Sequence, residues 1–229
     1  MQENYAVSWK IKQNPLWRVF MQKQKGKNMK NVILFCTGVS GSGKSHFIQH
    51  YLSPDAFHNL KSATTREKRN GEQDGCEYYF RNEEYFDTEK FVTKLWVNEK
   101  LWKPGDKKWM YGVPEFEVWD NLGYNFTYDV IEPKYIRQMM DWFKNNRLTY
   151  FYDFKILWFQ PNQNASKIIE SRQNMPNDAL VRKINTCTFK DFTQVHLSPD
   201  FQVINSEEKQ RIDQGLLNII HEFNKMKIK

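Results

Sequence analysis

Cysteine is scarce in this sequence, with three residues among 229. Cys36, Cys76 and Cys187 are far apart and share no CxxC or CxxH spacing, so the pattern predicts neither a disulfide framework nor a zinc site. No uninterrupted apolar run reaches the roughly 18 residues of a membrane-spanning helix, and the N-terminus lacks the apolar core of a secretory signal. We therefore expect a globular protein in a reducing, cytoplasmic location, without a membrane partner.

The charge of the chain is unevenly distributed. Residues 1–30 contain seven basic residues and one acidic residue, a net charge of +6, which leaves about +1 of the formal +7 for residues 31–229. We interpret residues 1–30 as a basic N-terminal extension. It is either a solvated segment, which we favour, or a segment that touches nucleic acid or another anionic surface.

From residue 31 onward, apolar runs of strand length alternate with helical patterns. Val32–Cys36 is a continuous apolar run, typical of a parallel strand buried on both faces. A glycine-rich turn and a predicted helix at Ser45–Tyr51 follow it. Further strands are predicted at Phe126–Ile131, Phe151–Phe159 and Phe201–Ile204, and further helices at Lys134–Asn145, Ala165–Arg172 and Glu207–Met226.

This alternation predicts an α/β fold with a parallel central sheet, helices on both faces, and ligands beyond the carboxyl ends of the strands. The segment Ser62–Trp119 breaks the alternation. It is rich in aromatic, glycine and charged residues without a helical stripe, so we interpret it as a mixed, mostly β insertion. Residues 31–229 would then form one domain of sufficient size to bury a core.

The turn after the first predicted strand, Gly38–Ser45, reads GVSGSGKS and fulfils the pattern GxxxxGK[ST]. Glycines let backbone N–H groups converge on phosphate oxygens at a helix N-terminus. Lys44 would supply a positive charge to the β- and γ-phosphates, and the Ser45 hydroxyl would bind Mg²⁺. The pattern favours a nucleoside triphosphate site over a glycine-rich turn without a catalytic role.

A second polar motif follows between Ser62 and Phe80, and it reads SATTREKRNGEQDGCEYYF. Arg66 and Arg69 lie three residues apart beside threonine hydroxyls and a glycine turn. Paired guanidinium groups with hydroxyl donors suit a phosphate monoester. The alternative is a surface loop with ordinary ion pairs.

The second motif resembles the signature of guanylate kinases, SxTTRxxRxGExxGxxYxF. The residues that carry the resemblance are Ser62, Thr64, Thr65, Arg66, Arg69, Gly71, Glu72, Gly75, Tyr78 and Phe80. Guanylate kinases transfer a phosphoryl group from ATP to GMP or dGMP. The resemblance implies a P-loop NTPase three-layer fold with a mixed β acceptor-binding subdomain, here about 60–120, and a helical lid, here about 172–190.

The resemblance also implies the roles of individual residues, with ATP and Mg²⁺ as cofactors and a nucleoside monophosphate as substrate. Ser62, Arg66, Arg69, Tyr78 and Tyr111 would bind the acceptor. The catalytic residues would be Lys44 and the lid arginines Arg172 and Arg182, with Lys183 as the alternative for the second lid position; both arginines could instead be solvated helix residues. The ATP site would comprise Gly38, Ser40, Gly41, Ser42, Gly43, Lys44, Ser45, His46 and Asn205.

The region that would recognise the acceptor base departs from the family pattern. Val113 occupies the position of a Ser or Thr after the Tyr111-Gly112 pair, and Glu99 is the nearest candidate for a carboxylate that precedes this pair. Asp129 could supply the base-binding carboxylate at the end of a strand, orient Mg²⁺-bound water, or cap the strand. Aromatic residues nearby could stack on a base or pack in the core: Trp96, Trp102, Trp109, Tyr111, Phe116 and Trp119.

These features predict an ATP-dependent nucleoside monophosphate kinase that acts on GMP, dGMP or another nucleotide, including a modified one. One alternative is a kinase for a nucleotide within DNA or RNA, against which the near-neutral charge of residues 31–229 argues. The other is a non-catalytic guanylate-kinase-like binding module, against which the intact Gly43-Lys44-Ser45 argues. The sequence does not reveal the oligomeric state.

Overall fold

The computed structural model describes residues 30–39, 41–96, 109–124, 126–160, 189–205, 210–212 and 214–225. The strands of this part of the chain are β1 (Asn31–Gly38), β2 (His58–Asn59), β3 (Ala63–Thr64), β4 (Tyr79–Phe80), β5 (Phe91–Trp96), β6 (Met110–Pro114), β7 (Phe126–Val130), β8 (Tyr152–Gln160), β9 (Phe201–Asn205) and β10 (Gln210–Ile212). The helices are α1 (Lys44–Tyr51), α2 (Glu83–Thr88), α3 (Glu115–Asp120), α4 (Pro133–Asn145), α5 (Phe189–Gln194) and α6 (Gln214–Lys225).

A six-stranded sheet in the order β10-β9-β8-β1-β7-β2 forms the centre of the fold. Strand β1 lies in its middle and pairs in parallel with β7 and β8. All five residues of the predicted run Val32–Cys36 are buried, as expected for a strand covered on both faces. The predicted parallel central sheet is therefore confirmed.

Alternate side chains of β1 pack into two separate apolar clusters on opposite faces of this sheet. Ile33 and Phe35 join a cluster that contains Ile136 of α4 and Phe192 of α5. The cluster on the other face contains Leu34 together with residues of α1 and α6. Helices therefore cover both faces of the sheet, and the predicted three-layer α/β architecture is confirmed.

The predicted C-terminal helix at Glu207–Met226 is wrong at its start. Residues Gln210–Ile212 form strand β10, which pairs antiparallel with β9 so that Ile212 lies opposite Val203, and the helix begins only at Gln214. Ile212 packs against the apolar cluster that contains Val203. Burial of this side chain at the sheet edge outweighs the local helical pattern.

A second, four-stranded sheet has the order β4-β3-β6-β5 and contains both parallel and antiparallel pairs. It confirms the mixed, mostly β character predicted for Ser62–Trp119. Gly112 is required in β6 because an added Cβ would lie 2.5 Å from the carbonyl oxygen of Thr93 on β5. Any other residue there would push the two strands apart.

The connections of the two sheets bring both predicted phosphate sites to one edge. Since β1 and β2 both run parallel to β7, the glycine loop after β1 and the segment from β2 to β3 leave the central sheet at the same carboxyl edge. Ligands of open parallel sheets bind at this edge. Among the described residues, no helix is long and apolar enough to cross a membrane.

Candidate active site

The glycine loop, residues 38–45, packs tightly against the neighbouring strand β8. A Cβ added to Gly38 would lie 2.6 Å from the carbonyl oxygen of Phe159 and 3.0 Å from the Ser42 hydroxyl. The backbone N–H of Ser42 donates to the Val39 carbonyl at 3.2 Å, which closes the turn. The sequence folds in this way because Gly38 permits an approach that a side chain would block.

The N-terminus of α1 has the properties of an anion site. Its N-cap residue, Gly43, has a left-handed backbone, no side chain caps the helix, and no acidic residue lies in the first turn. Lys44 Nζ donates to the carbonyl oxygens of Gly38 and Val39 at 2.7 and 2.8 Å, so its ammonium group lies over the loop. A helix N-terminus beside a lysine fits a polyphosphate chain.

The other predicted ATP-site residues are placed as follows. Ser42 is buried, whereas Ser45 and His46 are exposed. The ring of His46 stacks on His50 with 3.9 Å between the centroids. Asn205 ends β9, and the structure does not describe its side chain; Ser40 lies outside the described residues. Hydroxyl oxygens beside polyphosphate are ligands that Mg²⁺ accepts, so the exposed position of Ser45 fits the metal role predicted for it.

The structure brings together a set of residues from the second motif, which we call the arginine cluster: Arg66, Glu72, Tyr78, Phe80 and Tyr111. The Arg66 guanidinium carbon lies 5.5 Å from the ring centroids of both Tyr78 and Phe80. The rings of Tyr78 and Tyr111 are 5.7 Å apart and nearly perpendicular. Aromatic faces hold the guanidinium in place while leaving its N–H donors to other partners.

Glu72 organises this cluster, a role that the sequence interpretation did not assign to it. Its Oε1 accepts a hydrogen bond from Arg66 Nη2 at 2.8 Å, and its Oε2 accepts one from the backbone N–H of Arg69 at 2.7 Å. Burial tends to raise the pKa of Glu72, but the contacts with both arginines lower it below the ordinary value. Glu72 therefore stays ionised and fixes the two arginines relative to each other.

The two other acceptor residues of the second motif lie beside the cluster. The Arg69 guanidinium is 3.8 Å from Glu72 Oε1. The Ser62 carbonyl accepts a hydrogen bond from the backbone N–H of Tyr79 at 3.0 Å, which ties Ser62 to the residue after Tyr78. Burial raises the pKa of Tyr78, so its hydroxyl keeps its proton. The cluster thus presents cationic and neutral donors, as a phosphate monoester requires.

Asp129 lies near the end of β7, opposite Phe35 of β1. It is 2% exposed, and its Oδ2 is buried without a hydrogen-bond partner in the described part of the chain. Burial, with a smaller contribution from the charge of Glu117, raises the pKa of Asp129 to about 7. A buried polar atom without a partner is costly, and this one is consistent with a ligand-binding role at the carboxyl edge.

Asp129 pairs with Phe35, which lies three residues before Gly38 at the start of the glycine loop. Burial, and next the charge of Asp129, raise the pKa of the Cys36 thiol, while the charge of Lys44 opposes them. Both charged groups therefore act on the same residue, two positions before Gly38. The proximity of the glycine loop and the buried carboxylate of Asp129 defines the centre of the candidate site.

A second buried carboxylate, Glu117 of α3, was missed by the sequence interpretation. Its Oε1 accepts the backbone N–H of Lys61 at 3.0 Å, and its Oε2 accepts the Tyr79 hydroxyl at 2.7 Å. His58 Nε2 lies 3.6 Å from Oε1. These partners are 38 to 59 positions away in the sequence, so no local pattern could have revealed the contacts.

The base-recognition candidates receive different environments. Val113 is 1% exposed and belongs to the apolar cluster that contains Leu60 and Val118; it contributes no hydroxyl group. Trp119 packs edge to face on Trp142 of α4, so it lies in the core. Glu99 and Trp102 lie outside the described residues.

The predicted lid also lies mostly outside the described residues. The residues that the structure does not describe include Arg172, Arg182 and Lys183, residues 1–29 of the basic N-terminal extension, and the predicted helix at 165–172. The roles of these residues therefore stay predictions.

Comparison with known proteins identifies relatives that match part of the chain. A family model described as guanylate kinase matches residues 28–93. The chain is similar to a protein named guanylate kinase from Prochlorococcus marinus (strain MIT 9312), with 49% identity over 102 residues, 44% of this chain and 52% of the relative. The similarity to a guanylate kinase from Rickettsia bellii (strain RML369-C) is 36% identity over 115 residues, 48% of this chain and 54% of the relative.

The matches span about half the length of these curated relatives. Among solved structures, the chain is similar to the crystal structure of guanylate kinase from Anaplasma phagocytophilum, with a TM-score of 0.44, 17% sequence identity, and coverage of 87% of this chain and 88% of that chain. The structural similarity is too low to bear on function.

Proposed function

We propose that this chain, which matches a guanylate kinase family model over residues 28–93 and is similar to proteins named guanylate kinase, is an ATP-dependent nucleoside monophosphate kinase. It transfers the γ-phosphoryl group of ATP to GMP, dGMP or another nucleoside monophosphate, including a modified one. The observation that supports this function most strongly is the position of the glycine loop and the second motif at one edge of the central sheet.

The residues of the glycine loop bind the donor. Backbone N–H groups at the start of α1 hold phosphate oxygens, and Lys44 leaves its carbonyl partners for the β- and γ-phosphates. The Ser45 hydroxyl would hold Mg²⁺, which would supply charge compensation for the phosphates. In-line phosphoryl transfer needs little covalent participation from the protein, so placement and charge account for most of the rate.

The arginine cluster and Arg69 bind the acceptor phosphate. Arg66 is oriented by two aromatic rings and by Glu72 before substrate arrives, which lowers the entropic cost of binding. Tyr78 and Tyr111 donate from their hydroxyl groups. Arg172 and Arg182 would compensate the charge that develops on the transferred group as a lid closes.

The acceptor base meets an altered environment. Val113 is apolar, and Asp129 contributes a buried oxygen that has no hydrogen-bond partner among the residues that the structure describes. A site discriminates between bases by leaving polar groups unpaired with the wrong one. Relative to the family pattern, the site lacks a hydroxyl group at Val113 and keeps a carboxylate at Asp129. We therefore expect an acceptor whose base donates at least one hydrogen bond to Asp129. This condition does not restrict the acceptor to guanine.

The test is an ADP-release assay with ATP and Mg²⁺ against all common ribo- and deoxynucleoside monophosphates. We expect Lys44→Ala to reduce kcat by about 100-fold or more without changing the free energy of unfolding. Lys144→Ala is the matched control, since Lys144 is an exposed lysine in the last turn of α4. Turnover of a nucleotide on the panel supports the proposal and defines the acceptor.

Two outcomes would contradict the proposal. An absence of turnover by the unaltered protein on the whole panel would contradict transfer to the common nucleoside monophosphates and would favour a modified nucleotide, a polymer acceptor or a binding role. Undiminished turnover by Lys44→Ala would remove the role assigned to the glycine loop.

A further inference from the structure

We propose that Glu117 is a positioning residue that holds the arginine cluster from the back of the second sheet. The inference rests on the proposed function, because it concerns the residues assigned to the acceptor. Glu117 itself does not face the acceptor phosphate. It acts through the two chain segments that carry Ser62 and Tyr78.

The two side-chain oxygens of Glu117 join separate segments of the chain. Oε1 accepts the N–H of Lys61, the residue directly before Ser62, at 3.0 Å. Oε2 accepts the hydroxyl of Tyr79, the residue directly after Tyr78, at 2.7 Å. One carboxylate is thus bonded to the immediate neighbour of each of two predicted acceptor residues.

The alternation of side chains along residues 78–80 separates the two faces of this segment. Tyr78 and Phe80 both contact the guanidinium of Arg66, whereas Tyr79 points to the opposite side, where it meets Glu117 and the ring of Phe116. Successive residues of an extended chain alternate in this way. A bond that fixes Tyr79 from behind therefore fixes Tyr78 and Phe80 in front.

The helix that carries Glu117 is connected to the same cluster. Strand β6 ends at Pro114 and α3 begins at the next residue, so Glu117 lies only six positions after Tyr111 along the chain. Tyr111 belongs to the front of the cluster, and Glu117 closes it from the back. A shift of α3 would move Tyr111 and Tyr79 together.

A carboxylate suits this position better than a neutral side chain. Burial tends to raise the pKa of Glu117, but contacts with His58, Tyr79 and the Lys61 backbone lower it, so the group is ionised although it is 2% exposed. Both of its oxygens accept from donors. An amide offers a single acceptor oxygen, so its NH2 group would face one of the two donors, and the bond to Tyr79 would have to reverse and would lose its charge assistance.

The experiment compares steady-state kinetics of Glu117→Gln and Tyr79→Phe with the unaltered protein, using the acceptor found to be turned over. We expect KM for the acceptor to rise about tenfold in Glu117→Gln and several-fold in Tyr79→Phe, as for loss of a hydrogen bond to a charged group. The KM for ATP and kcat should stay within about twofold. The double variant should be no worse than Glu117→Gln, because both substitutions break the same bond.

Glu115→Gln is the matched control. Glu115 lies on the same helix, and its carboxylate accepts a hydrogen bond from Trp142 Nε1 at 2.9 Å, on a contact with α4. Its substitution should lower the free energy of unfolding, measured by urea denaturation, without raising the acceptor KM. A purely structural role of Glu117 would make the two variants behave alike.

Each result has a distinct meaning. Acceptor KM values of Glu117→Gln and Tyr79→Phe within twofold of the unaltered protein would overturn the positioning role and leave the kinase function intact. An equal rise in acceptor KM for Glu115→Gln would overturn it as well. Absence of turnover in the unaltered protein with every acceptor would overturn the proposed function, and the inference with it.

Discussion

Asp129→Asn replaces a buried carboxylate with a neutral amide of the same shape, and it isolates the electrostatic cost of that carboxylate. The pKa of Asp129 is raised from 3.8 to about 7, which corresponds to about 4 kcal/mol at 1.36 kcal/mol per pKa unit. In the unfolded chain the group has already lost its proton at pH 5, whereas in the folded protein it has not.

The sign of the pH dependence follows from proton binding. Between the unfolded and folded pKa values, the folded state holds one more proton than the unfolded state, so stability falls as pH rises. From pH 5 to pH 8 the unaltered protein should lose about 3 kcal/mol of unfolding free energy through this group. Asparagine does not titrate in this range, so the unfolding free energy of the variant should not fall with pH through position 129.

Urea denaturation at pH 5, 6, 7 and 8 measures the effect. Other titrating groups contribute to both proteins, and the difference between the two curves isolates Asp129. The stability of Asp129→Asn relative to the unaltered protein should therefore improve as pH rises. Parallel curves from pH 5 to pH 8 would refute the reasoning, since they would mean that Asp129 is ionised in the folded protein throughout this range.

Three further substitutions test the arginine cluster and the second sheet, the third of them as a control. Glu72→Gln should raise the acceptor KM by about tenfold, because it weakens the charged contact that orients Arg66. Steady-state kinetics would measure this rise, and an unchanged KM would contradict the role of Glu72. Gly112→Ala should destabilise the fold by about 2 kcal/mol from overpacking against Thr93, as measured in urea. Gly71→Ala has open space around its Cβ and should cost about 1 kcal/mol from its left-handed backbone alone; equal losses would contradict the proposed contact.

Much of the architecture could be predicted because its signals are local. The apolar run Val32–Cys36 predicts β1, and the helix predicted at Lys134–Asn145 is observed at Pro133–Asn145, where proline suits a first helical position. Strand β10 was missed because three residues carry too little pattern to reveal a strand. Its formation depends on pairing with β9, a tertiary contact.

Some contacts of the candidate site are local in the sequence and could be predicted, whereas others join distant segments and could not. The second motif predicts a paired-arginine site, and the structure shows Arg66 held by Tyr78 and by Glu72 within a few positions along the chain. Glu117 was invisible to sequence reasoning, because its partners come from distant segments. The strand-end position of Asp129 was predictable, whereas its unpaired buried oxygen depends on packing around β7.

The central claim is that the protein transfers a phosphoryl group from ATP to a nucleoside monophosphate. Its most direct test incubates the unaltered protein with γ-phosphate-labelled ATP, Mg²⁺ and GMP and detects the product by chromatography. Parallel reactions contain the other nucleoside monophosphates. The account predicts that the label appears in a nucleoside diphosphate and that Lys44→Ala does not form it. Label that remains in ATP or appears only as inorganic phosphate with every acceptor would contradict the account.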